Sequence, residues 1–244
     1  MPVPGVQELL AEWEHGLDRS PTERALGLLA TASPGTPRRE IAGLPVGSRD
    51  LGLLRLRAAL FGDGVEATCS CPSCAEQLEV TFRVSDLVGA AAATSDAGTP
   101  TSRTLVAGRA VTVRPPSSLD LLAVNGETDL GAARDALLRR CLGGEDGNAV
   151  ADQLGDDDRA RLVAQIAELD PLARVELELR CADCGHAWRS LFDIAGFLWT
   201  ELDAWARRTL RDVHTLACAY GWPEADILAM SLRRRESYLE LVLS

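Results

Sequence analysis

Lysine is absent from this sequence of 244 residues, and all 25 of its basic residues are arginine. The absence excludes enzymes that use a lysine to form a Schiff base, to bind phosphate in a P-loop or to bind ATP in a kinase. Acidic residues predominate, and the formal net charge is -11. Because nucleic acids and anionic membranes also carry negative charge, we expect neither of them to be a partner.

Aromatic residues are scarce, at 5% of the sequence, so we expect a core of leucine, valine and alanine. No run approaches the ~18 consecutive apolar residues of a membrane-spanning helix. Residues 1–8 lack the basic start and the apolar stretch of a secretion signal. We therefore expect a cytoplasmic protein, in a reducing compartment where its seven cysteines do not form disulfides.

Helical periodicity marks an N-terminal helical segment, residues 1–62. We predict one helix over Val6–Leu17 and a second that begins with a capping box of Ser20 and Glu23. A third is predicted after Asp50, and it ends near residue 62.

A C-terminal helical segment, residues 193–244, shows the same periodicity. Its first helix carries apolar residues every three or four positions, which predicts that one face is buried. Gly221 is expected to end this helix, Pro223 to start a short one and Ser231 to cap the last.

Between these segments, two regions alternate apolar and polar residues as half-buried strands do. We assign residues 63–88 and 174–192 to the two halves of a zinc ribbon. Residues 89–173 form an inserted subdomain between them, beginning with a loose linker over 89–102. The rest of the insertion is predicted to contain a hairpin over 103–113 and helices over 117–124, 130–142 and 156–168.

Two C-x-x-C pairs, Cys71 with Cys74 and Cys181 with Cys184, lie at the predicted hairpin tips. Two such knuckles that face each other supply the four thiolates of a tetrahedral structural Zn²⁺ site. The 106 residues between Cys74 and Cys181 exceed the usual spacing of a compact ribbon. Because the entropy of loop closure grows only logarithmically with length, such an insertion is acceptable.

Other interpretations of the cysteines remain open in the sequence. The pairs could form a redox dithiol, although neither begins a helix after a strand as a thioredoxin-type site does, or they could bind no metal. A catalytic zinc is disfavoured because four protein ligands leave no open position. Cys69 lies two residues before Cys71 and could replace it as a ligand, whereas Cys141 and Cys218 are expected to be small core residues.

Three consecutive arginines, Arg233, Arg234 and Arg235, fall near the start of the last predicted helix. Positive charge opposes the helix dipole there. Either they form a solvated face paired with neighbouring carboxylates (Glu224, Asp226 and Glu236), or they dock to an acidic surface of a partner protein.

Two stretches of sequence resemble a known family. The first is Leu44–Asp50 with the leucine- and arginine-rich residues 53–57 and Phe61–Gly62, and the second runs from residue 212 to residue 239. The second contains Tyr-Gly-Trp-Pro-Glu at 220–224 and Arg-Arg-Glu-Ser-Tyr-Leu at 234–239. It resembles the baseplate-hub assembly family of T-even phages and its relatives in phage-like contractile injection systems.

The resemblance implies a non-enzymatic protein that assists assembly of, or belongs to, the baseplate of a phage tail-like particle. Its implied partners are baseplate, hub, spike or tape-measure proteins, contacted through Trp222, Arg233, Arg234, Arg235 and Tyr238. The alternatives are a zinc-ribbon adaptor or regulatory protein unrelated to tails, and an enzyme in the insertion, for which the sequence shows no convergent titratable groups.

The expected fold is therefore α+β and mostly α-helical. A discontinuous four-cysteine zinc ribbon joins the N- and C-terminal helical segments, and an α/β subdomain is inserted in it.

Overall fold

Helices predominate in the structure, a computed structural model that describes residues 2–92, 99–106, 108–144, 147–151 and 153–243. The helices are α1 (Val6–Gly16), α2 (Pro21–Ala32), α3 (Arg38–Gly43), α4 (Val46–Phe61), α5 (Val84–Ala92), α6 (Ser118–Val124), α7 (Leu130–Cys141), α8 (Gly147–Ala151), α9 (Asp156–Leu169), α10 (Ile194–Tyr220), α11 (Glu224–Ala229) and α12 (Leu232–Leu243). The strands are β1 (Gly64–Ser70), β2 (Gln77–Arg83), β3 (Ser102–Val106), β4 (Arg109–Val113), β5 (Leu142–Gly143), β6 (Glu176–Arg180) and β7 (Ala187–Leu191).

All strand pairs among the described residues are antiparallel. Strands β1 and β2 form one hairpin and β6 and β7 another, while β3, β4 and β5 form a small sheet in that order. These elements confirm the predicted fold class, a mostly helical α+β protein that contains two separate hairpins.

The predicted capping box at the start of α2 is present. The backbone N–H of Glu23 donates to the Ser20 hydroxyl at 3.4 Å, and the Ser20 N–H donates to the Glu23 carboxylate at 3.0 Å. At the other end of the chain, Gly221 ends α10 with a φ of 68°, a left-handed conformation that glycine adopts without the steric penalty of a Cβ.

Helix α4 begins at Val46, five residues before Leu51, the first residue of the predicted helix. Its first free N–H groups are satisfied by the insertion: the Val46 N–H donates to the carbonyl of Pro116 at 3.0 Å, and the Gly47 N–H donates to the Asp170 carboxylate at 2.8 Å. The predicted start was wrong because the capping groups lie far away in the sequence.

Helix α10 is the centre of the larger core. Its buried face contacts α1, α2, α4, α11 and α12, as the predicted apolar face requires. None of the described helices combines the length and apolarity needed to cross a membrane. The N- and C-terminal helices thus share one core, whose largest fully buried residues are Leu26, Leu28, Leu53, Leu54, Leu56, Leu198, Leu202, Leu216 and Ile227.

A second, smaller core lies within the insertion. It is built where the sheet of β3, β4 and β5 meets α7, α8 and α9, and its buried residues are Val106, Val111, Val113, Leu138, Leu142, Val150, Leu154 and Leu162. Helix α6 contacts α7 of the insertion and also α2 and α3, and Leu122 packs against the larger core. The insertion therefore has its own core and also lies against the helical body.

The predicted linker over residues 89–102 is wrong at both of its ends. Residues 89–92 belong to α5, and Ser102 begins β3, while 93–98 lie outside the described residues. The alanine-rich composition that suggested a loose segment also has high helix propensity, and α5 follows β2 without an intervening loop.

A buried arginine joins α4 to the first hairpin and to α10. The Arg57 guanidinium forms two hydrogen bonds with the Glu201 carboxylate, at 2.9 and 2.7 Å, and donates to the carbonyls of Gly62 and Gly64. Its side chain is 4% exposed. Such a fork-shaped cation bonded to three segments fixes their relative positions.

A buried carboxylate has a similar role in the insertion. Asp120 accepts hydrogen bonds from Arg114, from Arg140, and from the backbone and hydroxyl of Ser117. Burial alone would raise the pKa of Asp120, but the hydrogen bonds from Arg114 and Ser117 outweigh it and hold the pKa well below the ordinary value of 3.8.

Replacement of Arg57 tests the first of these contacts. We expect Arg57→Met to lower the free energy of unfolding by about 2–4 kcal/mol, because it leaves Glu201 and two carbonyls without their donor. Arg55→Met, in the same helix but exposed and without an ion pair among the described residues, should change it by less than ~0.5 kcal/mol. Urea unfolding measures both, and equal effects would contradict the assignment.

The hydrogen bonds to Asp120 predict that the free energy of unfolding depends on pH. Since the folded-state pKa of Asp120 is lowered, its stabilising contribution is complete above the ordinary value of 3.8 and is lost as the pH falls below it. Asp120→Asn should therefore lower the unfolding free energy by about 2 kcal/mol at pH 7, and by progressively less below pH ~4. Urea titrations at pH 7, 5 and 3 measure this difference, and a difference independent of pH would refute it.

Candidate metal centre

The first hairpin ends in a tight turn that brings Cys71 and Cys74 together. The N–H of Cys71 donates to the carbonyl of Glu76 at 2.8 Å, and the N–H of Ala75 donates to the carbonyl of Cys71 at 2.9 Å. Ala75 has a φ of 60°, the left-handed conformation that such a turn requires. The turn leaves both sulfurs on one side of the hairpin tip.

The second hairpin repeats this turn 110 positions later. The N–H of Cys181 donates to the carbonyl of His186 at 2.8 Å, and the N–H of Gly185 donates to the carbonyl of Cys181 at 3.0 Å. Gly185 adopts the left-handed conformation at a φ of 72°, at the position that corresponds to Ala75. Glycine adopts this conformation without the steric penalty of a Cβ, whereas in the first hairpin an alanine adopts it.

The two hairpins also share a strand register, since Cys69 lies opposite Leu78 and Leu179 lies opposite Trp188. A helix whose first residue is buried follows each hairpin: α5 follows β2 at once, and α10 follows β7 after two residues. The rings of Phe82 and Phe192, which correspond in the two copies, meet edge to face with centroids 5.0 Å apart. The two halves are therefore copies of one strand–knuckle–strand–helix unit.

The four sulfurs converge where the two knuckles face each other. The sulfurs of Cys71 and Cys184 are 3.7 Å apart, and those of Cys74 and Cys181 are 3.6 Å apart. All four lie within 4.8 Å of one another. This confirms that the distant pairs form one cluster that could hold a metal ion.

These distances fit a tetrahedral ion. Two thiolates bonded at about 2.3 Å to the same tetrahedral metal are themselves about 3.8 Å apart. Cys71 and Cys181 are buried, whereas Cys74 and Cys184 are exposed, so the cluster lies at the protein surface with one buried sulfur from each knuckle. A metal can therefore reach the site from solvent.

The cysteines of the first knuckle differ in acidity. Burial opposes ionisation of Cys71, but the N–H groups of Cys74 and Ser73 interact with its sulfur and lower its pKa to about 7. The N–H of Glu76 favours the Cys74 thiolate, but the neighbouring cysteines and burial outweigh it and raise its pKa to about 12. Without a cation the two thiols of the first knuckle thus do not ionise together, and binding of a metal to both thiolates must release protons.

The other cysteines lie outside this cluster. Cys69 is partly buried on β1, and its sulfur is not part of the group of four. Cys141 is buried, as predicted. The prediction for Cys218 was wrong: it is exposed on α10, with its sulfur 3.8 Å from both ring nitrogens of His214. It follows the buried Leu216 but falls on the opposite, solvent-facing side of the helix.

The two aromatic residues predicted to dock a partner meet near the end of α10. Trp222 and Tyr238 are half-buried, and their rings meet edge to face with centroids 4.9 Å apart. Tyr220, which we did not single out from the sequence, stacks on Trp222 with centroids 4.4 Å apart. Its position in the Tyr-Gly-Trp motif was the signal that could have identified it.

The three arginines do not share one environment. Arg233 and Arg234 are exposed, but Arg235 is only 3% exposed, so the expectation that all three lie on the surface is wrong for Arg235. A helix places consecutive residues about 100° apart, and Arg235 falls on the side of α12 that faces α10. The nearest carboxylate to its Nε is that of Asp212, 4.0 Å away.

Comparison with known proteins found no match to this chain. No family model matches the chain, and no curated protein and no solved structure matches it either.

Serine substitutions test which cysteines hold a metal. We expect Cys71→Ser to reduce the bound metal per chain at least about tenfold in the presence of a weak chelator, and Cys69→Ser to leave it unchanged. The reason is that, of these two cysteines, only Cys71 belongs to the group of four sulfurs. Elemental analysis of the purified full-length chains measures the content. Loss of metal from Cys69→Ser alone would overturn the ligand assignment.

Proposed function

We propose that this chain is a zinc-stapled, non-enzymatic protein that acts by protein–protein contact in the assembly of the baseplate hub of a contractile injection system. The observation that carries the structural part is the convergence of four sulfurs from two distant hairpins. Zinc is the proposed ion because it prefers thiolate ligands and accepts tetrahedral geometry without electronic cost.

The donor set supports a structural and not a catalytic role for the ion. Four protein ligands complete a tetrahedral coordination shell, so no position remains for water or substrate. The metal would hold the two hairpins together and, through them, α5 and α10. Because α10 is the centre of the larger core, the staple contributes to the position of the C-terminal helices.

These C-terminal helices carry the proposed docking surface, which we define as Tyr220, Trp222, Tyr238, Arg233 and Arg234. The surface combines three aromatic rings in mutual contact with two exposed guanidinium groups on α12, the helix that also carries Tyr238. Tyrosine, tryptophan and arginine are the residue types that dominate the binding energy of protein interfaces. The rings are already ordered by one another, so binding a partner costs them little conformational entropy.

The nature of the partner is proposed from the resemblance of residues 212–239 to the baseplate-hub assembly family. Its partners would be baseplate, hub, spike or tape-measure proteins, and the chain would act in the cytoplasm, either as an assembly factor or as a part of the finished particle. Neither nucleic acid nor membrane is proposed as a partner. The remaining alternative is a zinc-ribbon adaptor unrelated to tails.

Affinity purification from cells that produce a contractile particle tests this proposal. We expect the tagged full-length chain to recover hub, spike or tape-measure proteins, and Tyr220→Asp to reduce their recovery about tenfold or more, because it places a charge in the aromatic contact. Leu130→Asp is the matched control, since Leu130 is 86% exposed on the insertion, away from the docking surface. Quantitative mass spectrometry measures recovery.

Recovery of no tail protein by the unmodified chain would refute the proposed function, and recovery of transcription or regulatory proteins instead would favour the adaptor. Equal recovery by both variants would refute the docking surface. Circular dichroism and metal content of each variant establish that the fold is retained.

A further inference from the structure

The first turn of α12, which we define as Ser231–Arg235, concentrates positive charge where a helix is already positive. Helix N-termini carry about half of an elementary positive charge, and they favour aspartate and glutamate in the first turn. Here that turn contains three arginines and no acidic residue. The arrangement is electrostatically unfavourable for the isolated chain.

Arg235, the buried arginine of the three, increases this excess of positive charge. Both Nε and Nη1 of Arg235 are buried and lack a hydrogen-bond acceptor. The Asp212 carboxylate, at 4.0 Å from Nε, is too distant for a hydrogen bond. A buried guanidinium usually satisfies its donors, so this charge is under-compensated.

The side chains of a helix and its free N–H groups both bring positive charge to its first turn. Side chains on a helix lean toward its N-terminus, so we expect the Arg235 side chain to lean toward the start of α12, on the face that lies against Asp212 of α10. The N–H groups of Leu232 and Arg233 have no acceptor in the described part of the chain, as expected for the first residues of a helix. Donors and charges therefore meet at one end of α12.

The carboxylates that could have neutralised this turn do not do so. Among the described residues, neither Arg233 nor Arg234 forms an ion pair, and Glu224, Asp226 and Glu236 pair with none of the three arginines. The chain has 36 acidic residues and a net charge of -11, so unpaired exposed arginines are not a consequence of scarce carboxylates.

We infer that the first turn of α12 is a binding site for carboxylate groups, filled by an acidic segment of the partner protein. This inference rests on the proposed function, because it names the chemistry of the partner at the docking surface. The partner's carboxylates accept hydrogen bonds from Arg233, Arg234 and the free N–H groups, while Arg235, which Asp212 compensates only in part, contributes positive charge.

The position of the turn supports a protein partner. Tyr238 lies four residues after Arg234 on α12, so the two lie on neighbouring parts of one helix face. A segment with acidic residues next to apolar ones could contact both the aromatic rings and the arginines. An isolated anion would contact only the arginines.

Titration of the metal-loaded, isotope-labelled full-length chain with a hexaglutamate peptide tests the inference by nuclear magnetic resonance. We expect saturable shifts of the backbone amide signals of Leu232 and Arg233 and of the Arg235 Nε–H signal. Hexaglutamine should produce none, because the site recognises charge. Inorganic phosphate is titrated separately, to distinguish a carboxylate site from a general anion site.

Charge reversal supplies the matched variants. Arg233→Glu with Arg234→Glu should weaken hexaglutamate binding at least about tenfold. Arg39→Glu with Arg103→Glu makes the same change in net charge at two exposed arginines that form no ion pair within the described part of the chain, and it should weaken binding less than about twofold. The first variant should fold normally, because glutamate in the first turn suits the helix dipole.

The inference is overturned if the turn shows no saturable shift, if both variants weaken binding equally, or if phosphate shifts these signals and hexaglutamate does not. Its failure is separable from that of the proposed function. A chain that captures tail proteins through Tyr220 but does not bind hexaglutamate would lose only the carboxylate site. Hexaglutamate binding without tail-protein capture would refute the proposed function alone.

Discussion

The convergence of four sulfurs is the constraint on which the remaining architecture depends. Cys74 and Cys181 are 107 positions apart, yet their sulfurs are 3.6 Å apart. A contact of this kind requires the insertion to leave and re-enter the body at nearby points. The entropic cost of closing such a long loop rises only slowly with its length, so the insertion can carry a core of its own while the hairpins remain in register.

Helix α4 connects the parts that this cluster brings together. At its beginning the Gly47 N–H is bonded to Asp170 of the insertion, and near its end Arg57 is bonded to Glu201 of α10 and to the start of the first hairpin. Both contacts use buried charged groups with specific geometry, which fix relative positions in a way that apolar contacts alone do not. The insertion, the ribbon and the helical body therefore meet on one helix.

Local signals in the sequence predicted the elements that are stabilised locally. The Ser20–Glu23 box and the glycine at the end of α10 carry their own stabilising chemistry, and both predictions were confirmed. The spacing of the two C-x-x-C pairs likewise predicted that their four sulfurs converge, which was confirmed. The errors fall where stabilisation is supplied from a distance. The start of α4 depends on Asp170, and the burial of Arg235 depends on how α12 lies against α10, so no window of sequence around either position contains the information.

The duplicated unit has a consequence for synthesis of the chain. The first knuckle leaves the ribosome with two of the four thiols and without its counterpart, and the second follows 110 residues later. At ~5–20 residues per second, this delay is roughly 5–20 s. Helix α10, which completes the larger core, follows soon after the second knuckle. The apolar faces of α1, α2 and α4 therefore stay uncovered until the same part of the chain has been synthesised. Closure of the four-cysteine cluster and burial of the core thus become one late event in the life of the nascent polypeptide.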